Sequence, residues 1–65
     1  MKVVYDPGTD VLSIFLNSSK VTESDEEKPG LILDYDRKGN IVSIEILEAS
    51  KRMRNPRSLE YAVEK

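Results

Sequence analysis

Two stretches of the chain share one pattern: an apolar run, a few turn residues, and a second apolar run. The first stretch spans residues 2–16 and the second spans residues 31–47. From Leu12 to Leu16, aliphatic side chains occupy every second position, which is the period of a β-strand. Each stretch therefore predicts a β-hairpin, and together they hold nearly all the large apolar side chains of the protein.

Turn residues occupy the centre of each predicted hairpin. Pro7-Gly8 interrupts the first apolar pattern, with aspartates on either side of it. The run Asp36-Arg37-Lys38-Gly39 predicts a type I turn in which Gly39 takes the left-handed conformation. The hairpins thus contribute four strands.

The register of the second hairpin has two solutions. A three-residue turn would place Ile32 and Asp34 beside the inward-facing Ile44. A four-residue turn would place Leu31 and Leu33 there instead, because a shift of one residue exchanges the faces of a strand. The sequence pattern leaves both registers open.

The segment between the hairpins, residues 17–28, is polar and acidic. Val21 would anchor a short edge strand within it, which would raise the number of strands from four to five. Its acidic side chains form the candidate contact for a basic partner protein: Glu23, Asp25, Glu26 and Glu27.

After residue 48 the apolar period changes. Residues 48–53 predict a short helical turn, and Asn55-Pro56 is a typical helix start, with Asn55 as the N-cap. Leu59, Ala62 and Val63 then follow at helical spacing. The predicted fold is α+β, a single domain spanning residues 1–65. An antiparallel β-meander of four to five strands (1–48) carries a C-terminal α-helix (49–65) packed on one face.

Length and composition make this domain a marginal one. A chain of 65 residues buries only about 60% of the surface that its unfolded form exposes. The absence of cysteine and histidine excludes disulfides and thiolate metal sites, and removes the commonest general base and zinc ligand. Association of subunits is the remaining way to stabilise a small core, so a homodimer is expected.

The first residues lack the basic and apolar regions of a signal peptide, and no apolar run approaches the roughly 20 residues that span a membrane. We therefore expect a cytoplasmic protein that does not bind membranes. The net charge of −2 does not favour nucleic acid as a partner.

The order of short motifs in both hairpins resembles a known prokaryotic family. They are Lys2-Val3-x-Tyr5-Asp6-x-x-x-Asp10-x-Leu12-x-Ile14-x-Leu16, then Leu33-Asp34-Tyr35-Asp36-x-x-Gly39-Asn40-Ile41-Val42-x-Ile44-Glu45-Ile46-Leu47 and Ala49-Ser50. This arrangement is similar to the domain of unknown function 2283, over roughly the first fifty residues. The resemblance implies no established activity. Members are often encoded beside a small protein suspected of being a ribonuclease-like toxin, which implies an antitoxin-like, partner-binding role.

Turn aspartates are the first candidate for chemistry. In an up-and-down meander both hairpin turns lie at the same end of the sheet, which would gather Asp6, Asp10, Asp34 and Asp36. Such a cluster would bind Mg²⁺ or act as an acid/base pair in a metal-dependent enzyme. Capping of the turn backbone is the preferred explanation, because aspartate commonly bonds nearby N–H groups in turns.

Residues 34–45 also match most positions of an EF-hand calcium loop. Lys38, however, stands where a ligand oxygen is needed. A hairpin would also hold Glu45, the twelfth position, far from Asp34. We therefore expect no metal and no cofactor.

The basic segment after the last strand supports an alternative function. Its four cations would contact phosphates, but no aromatic stacking platform accompanies them. A solvated or salt-bridged surface is the preferred explanation. The residues of this nucleic-acid alternative are Lys51, Arg52, Arg54 and Arg57.

Val4, Val11 and Phe15 lie on strand faces opposite the main core and predict an apolar interface patch. The sequence therefore predicts a non-enzymatic protein-interaction module. Its expected partners are a second copy of the chain and a small basic protein encoded nearby.

Overall fold

Five antiparallel strands and one short helix make up the fold, and the computed structural model describes all 65 residues. Within the sheet the strands lie in the order β1-β2-β5-β4-β3. Their bounds are β1 Lys2–Asp6, β2 Val11–Phe15, β3 Glu23–Lys28, β4 Leu31–Tyr35 and β5 Ile41–Ile46, followed by helix α1, Ala49–Arg52.

The last strand lies at the centre of the sheet. Strands β3, β4 and β5 follow one another as a meander, and β5 then pairs with β2 of the first hairpin. The prediction of a meander-like antiparallel sheet is confirmed. Its fifth strand is the acidic run Glu23–Lys28, just after the predicted anchor Val21, whose side chain is 41% exposed.

This additional strand places the two hairpin turns at opposite ends of the sheet. Leu12 lies opposite Ile46, so the turn of residues 6–10 is near the end of β5. The turn of residues 36–40 precedes β5 and lies at its other end. The predicted gathering of all turn aspartates at one end is therefore wrong, because β3 reverses the chain once more than a four-stranded meander would.

One face of the sheet is apolar. Leu33 lies opposite Ile44, and Ile44 lies opposite Ile14, so Leu31 and Leu33 share the face of Ile44. We call this the apolar face, formed by Val3, Tyr5, Leu12, Ile14, Leu31, Leu33, Ile44 and Ile46. The turn itself has three residues, because Asp36 pairs with Asn40, and a bulge beside Asp34 and Tyr35 shifts the register by one residue.

The other face combines apolar and polar residues, and we call it the mixed face. Here Phe15 lies opposite Ser43, and Ser43 lies opposite Asp34. Its members are Lys2, Val4, Asp6, Val11, Ser13, Phe15, Ser24, Glu26, Ile32, Asp34, Ser43 and Glu45.

Helix α1 has only four residues and is anchored on the first hairpin. The buried Ala49 donates its N–H to the carbonyl oxygen of Asp10 at 2.9 Å. The predicted helical turn over 48–53 is thus confirmed. The longer helix predicted from Asn55 onward is absent, and residues 53–65 contain neither helix nor strand.

The missing C-terminal helix has a physical cause. A segment of about ten residues is too short to be a stable helix without docking. Leu59, Tyr61 and Val63 are 66%, 70% and 80% exposed, so no docked surface supports such a helix. The protein is therefore mostly β, with no helix packed across the sheet.

The core of the isolated chain is very small. Val42 and Ala49 are its only buried hydrophobic residues. All eight residues of the apolar face are only half-buried. Stable domains normally bury such a face against a second layer of structure, and this chain supplies no second layer.

No helix of the protein combines the length and apolar character needed to cross a membrane.

Candidate interaction surfaces

The apolar face is the largest candidate surface. Its apolar residues span four strands, which corresponds to a projected area on the order of 300 Å² at ordinary strand spacing. Met53, Pro56 and Leu59 line an open groove of about 380 Å³ with residues of β1 and β2. These later residues cover only the β1–β2 corner, so the centre around Ile44 remains half-exposed.

A smaller apolar patch lies on the mixed face, where the sequence analysis predicted one. Val4 and Phe15 are 38% and 37% exposed, and Val11 is half-buried. The Lys2 ammonium lies 6.0 Å from the centre of the Phe15 ring, at the outer limit of a cation–π contact. Ser13 interrupts this patch, because it lies opposite Val4. Its role as an interface stays a prediction.

A buried carboxylate occupies the middle of the mixed face. Asp34 is only 4% exposed, and its two carboxylate oxygens accept hydrogen bonds from the hydroxyls of Ser24 and Ser43, each at 2.6 Å. Both serines lie directly opposite Asp34 on the neighbouring strands. The sheet register itself therefore supplies the partners that a buried charge requires.

Glu45 lies on the same face as this cluster, and its carboxyl and that of Asp34 shift each other's pKa in opposite directions. Burial raises the pKa of Asp34, but hydrogen bonds from Glu45, Ser24 and Ser43 together outweigh it and hold that pKa below its ordinary value. The same hydrogen bond, together with burial, raises the pKa of Glu45. The expectation that a hairpin separates Glu45 from Asp34 is wrong, because Asp34 lies within β4, diagonal to Glu45 across the register.

Strand β3 forms an acidic edge of the sheet. All six of its residues are exposed, and it pairs only with β4. Burial and then the charges of this strand raise the pKa of Tyr35 on the neighbouring strand. The predicted acidic contact residues therefore lie together along one edge: Glu23, Asp25, Glu26 and Glu27.

The turn aspartates serve local structure. Asp6 accepts a hydrogen bond from the N–H of Gly8, and Asp36 accepts from the N–H groups of Lys38 and Asn40, all at 2.9 Å. These contacts confirm turn capping. They also hold the pKa of Asp36 below its ordinary value.

Asp10 links the first hairpin to helix α1. Its carboxylate accepts hydrogen bonds from the hydroxyl and N–H of Ser50, at 2.6 and 2.9 Å, and from the hydroxyl of Tyr5 at 2.7 Å. The bonds from Ser50 and Tyr5 lower the pKa of Asp10. The four aspartates thus form no common site.

The basic segment makes contacts within its own chain. The Lys51 ammonium lies 2.8 Å from Glu48. The Arg52 guanidinium donates to the carbonyl oxygens of Leu47 and Pro29, at 3.0 and 2.9 Å. It also lies against Gly30, whose φ of +84° and lack of Cβ leave room for it. A structural role therefore accounts for Arg52.

The other two arginines of this segment lie apart from that contact. Arg57 lies 6.0 Å from the centre of the Tyr5 ring, and Arg54 is exposed. Nucleic-acid binding by the segment stays a prediction.

The buried polar cluster was the feature that the sequence analysis missed. Its signal was present, because Asp34 and Glu45 interrupt runs of aliphatic residues that are otherwise typical of strands. Their meeting depends on the hairpin register, which the sequence left open.

Comparison with known proteins gives a family but no activity. No curated protein and no solved structure matches the chain. One family matches residues 2–50, from the start of β1 to the second residue of α1, and it is described as "Protein of unknown function (DUF2283)". The match covers all five strands and ends before the C-terminal segment. The protein therefore belongs to this family of unknown function.

Proposed function

We propose that the protein is a homodimeric protein-interaction module without catalytic activity. Two copies bury their apolar faces against each other, and the acidic β3 edges remain free to bind a small basic protein. An antitoxin-like role toward a ribonuclease-type toxin is the form of this function that the family resemblance implies.

The half-exposed apolar face carries the proposal. Exposed apolar patches of several hundred Å² on soluble proteins are typical of interaction sites. A second copy is the simplest partner, because face-to-face packing of two identical sheets supplies the missing layer to both. Ile44 and its neighbours in register, Ile14 and Leu33, would lie at the centre of this interface.

The acidic edge supports the second part of the proposal. An exposed edge strand presents unpaired backbone groups to which another chain can add a strand. Strand β3 carries four carboxylates and one lysine, so it repels a second acidic edge and attracts a basic strand. A partner rich in lysine and arginine therefore suits this edge.

Co-expression with the product of the neighbouring gene tests the proposed function. We expect the two proteins to elute together from size exclusion at low salt and to separate as salt rises, because the contact is electrostatic. If they elute separately at low salt and the neighbour's toxicity is unchanged, the partner-binding role is wrong.

A matched pair of charge reversals locates the contact. Glu27→Lys on β3 should weaken the complex, whereas Glu48→Lys, which changes the same charge at an exposed site outside the five strands, should not. Equal weakening by both variants would contradict the assignment to β3. The mass of each variant, measured alone, shows whether the homodimer is intact.

A further inference from the structure

We propose that residues 59–64 of one copy form a sixth strand along β1 of the second copy. This inference rests on the proposed homodimer and specifies how its two chains exchange their C-terminal segments.

The sequence of this segment has the period of a strand. Leu59, Tyr61 and Val63 occupy alternate positions, and Ser58, Glu60, Ala62 and Glu64 lie between them. Tyrosine and valine favour strands. The three apolar side chains are 66–80% exposed, and only Leu59 reaches the groove at the β1–β2 corner, so they have the pattern of a half-buried strand that lacks most of its covering surface.

The backbone of the segment also lacks partners. No hydrogen bond of the structure involves residues 59–65. An edge strand of a sheet offers the complementary N–H and C=O groups, and pairing there would satisfy both sets.

Of the two edges, β1 fits this segment better than β3. The segment contributes Glu60 and Glu64, which the carboxylates of β3 would repel. Strand β1 instead combines Lys2 with Val3, Val4 and Tyr5 and has one carboxylate, Asp6. With Leu59, Tyr61 and Val63 on the same side as Val3 and Tyr5, the added strand would extend the apolar face. Glu60 and Glu64 would then lie on the side of Lys2.

The position of the chain before this segment favours exchange between copies. Met53 and Pro56 line the groove over Val3 and Tyr5, and Arg57 lies over the Tyr5 ring, so the chain runs across the apolar face beside its own β1. Three extended residues span about 10 Å, which is the spacing of two packed sheets. In a face-to-face dimer, the chain that leaves this face at Pro56 reaches the opposite sheet at Leu59, which is three residues later.

The test compares two variants of the full chain. The triple substitution Leu59→Ser, Tyr61→Ser, Val63→Ser removes the apolar positions of the proposed strand. The control Ser58→Gly, Glu60→Gln, Ala62→Ser changes the alternate positions. We expect the first to raise the dimer dissociation constant by more than about tenfold and the control to change it much less.

Hydrogen exchange and isotope-filtered NMR on the wild-type protein provide the structural readout. We expect protected amides in residues 59–63 and contacts between residues 59–63 of a labelled copy and Val3 or Tyr5 of an unlabelled one. Contacts confined to a single copy would overturn the exchange between chains.

The outcomes separate this inference from the proposed function. A dimer in which residues 59–63 are unprotected, and which the triple variant leaves unchanged, overturns the sixth strand but keeps the homodimer. A wild-type protein that is monomeric at every concentration overturns both.

Discussion

The apolar face and the mixed face are built on the same five strands, but they meet their burial requirements differently. On the mixed face, the deeply buried Asp34 finds hydrogen-bond partners in Ser24 and Ser43 on the two neighbouring strands. On the apolar face, eight large side chains remain half-buried because nothing lies across them except the segment near Pro56.

The difference shows which face depends on another molecule. Hydrogen bonds between neighbouring strands lie within the sheet, so the polar cluster is complete in one chain. Hydrophobic stabilisation is proportional to the apolar area removed from water, and a single layer removes little from either side. We therefore assign local stability to the mixed face and association to the apolar face.

The largest effect is expected from a charge at the centre of the apolar face. Ile44→Asp would place a carboxylate between Ile14 and Leu33. We expect it to abolish dimerisation and to lower the free energy of unfolding by about 3 kcal/mol or more, as measured by urea denaturation and sedimentation.

Val4→Asp is the matched control on the mixed face. Val4 is 38% exposed at an edge strand, and we expect this variant to lose about 1 kcal/mol or less and to remain dimeric. Equal losses from the two variants would contradict the distinction between the faces.

The next largest effect is expected at the buried carboxylate. Asp34→Ala leaves the hydroxyls of Ser24 and Ser43 without their acceptor and should cost about 1–3 kcal/mol. Ser24→Ala removes one hydroxyl from an exposed strand and should cost less. The dimer dissociation constant should change little in either variant, and a selective loss of dimer would assign the cluster to the interface instead.

Phe15→Ala should have a smaller effect. The ring is 37% exposed and its loss removes the contact with Lys2, so we expect roughly 1 kcal/mol of destabilisation. Sedimentation should show an unchanged dimer. Dissociation by this variant would move the interface to the mixed-face patch of Val4, Val11 and Phe15.

The smallest effect is expected in the dependence of stability on pH. Folding raises the pKa of Glu45, so its contribution is fully present below the ordinary value of 4.5 and is lost as pH rises through the raised value. Folding lowers the pKa of Asp34, so its contribution is present above the ordinary value of 3.8 and is lost as pH falls through the lowered value.

Glu45→Gln tests this dependence, because glutamine donates a hydrogen bond to Asp34 without titrating. Urea denaturation of the wild type should show stability falling as pH rises above 4.5 through the raised pKa of Glu45. The Glu45→Gln variant should lack that fall. An identical decrease in both proteins would contradict the raised pKa of Glu45 beside Asp34.

The sequence predicted the hairpins well because their evidence is local. The alternation from Leu12 to Leu16 and the turn at Gly39 depend on neighbouring residues only. The strand order depends on β5 pairing with β2 across 25 or more residues, and no local pattern specifies that choice. The acidic residues of β3 also disfavour a strand, and its pairing with β4 overrides their propensity.

Local sequence patterns also predict part of the candidate surfaces, but not which face of the sheet is left uncovered. Alternation alone predicts that Phe15 and Val4 lie opposite the main core, and composition indicates the acidic segment. The predicted helix after Asn55 instead rested on a spacing that Leu59 and Val63 share with a strand pattern. Because this helix does not form, the apolar face is uncovered. The apolar face therefore replaces the mixed face as the principal candidate surface.

Sedimentation equilibrium of the wild-type protein over a range of concentrations shows whether the apolar face is buried between two copies. We expect a species of twice the 7.4 kDa chain mass, with dilution lowering the dimer fraction and the unfolding midpoint together. A 7.4 kDa monomer that unfolds cooperatively at a midpoint independent of concentration would contradict this expectation.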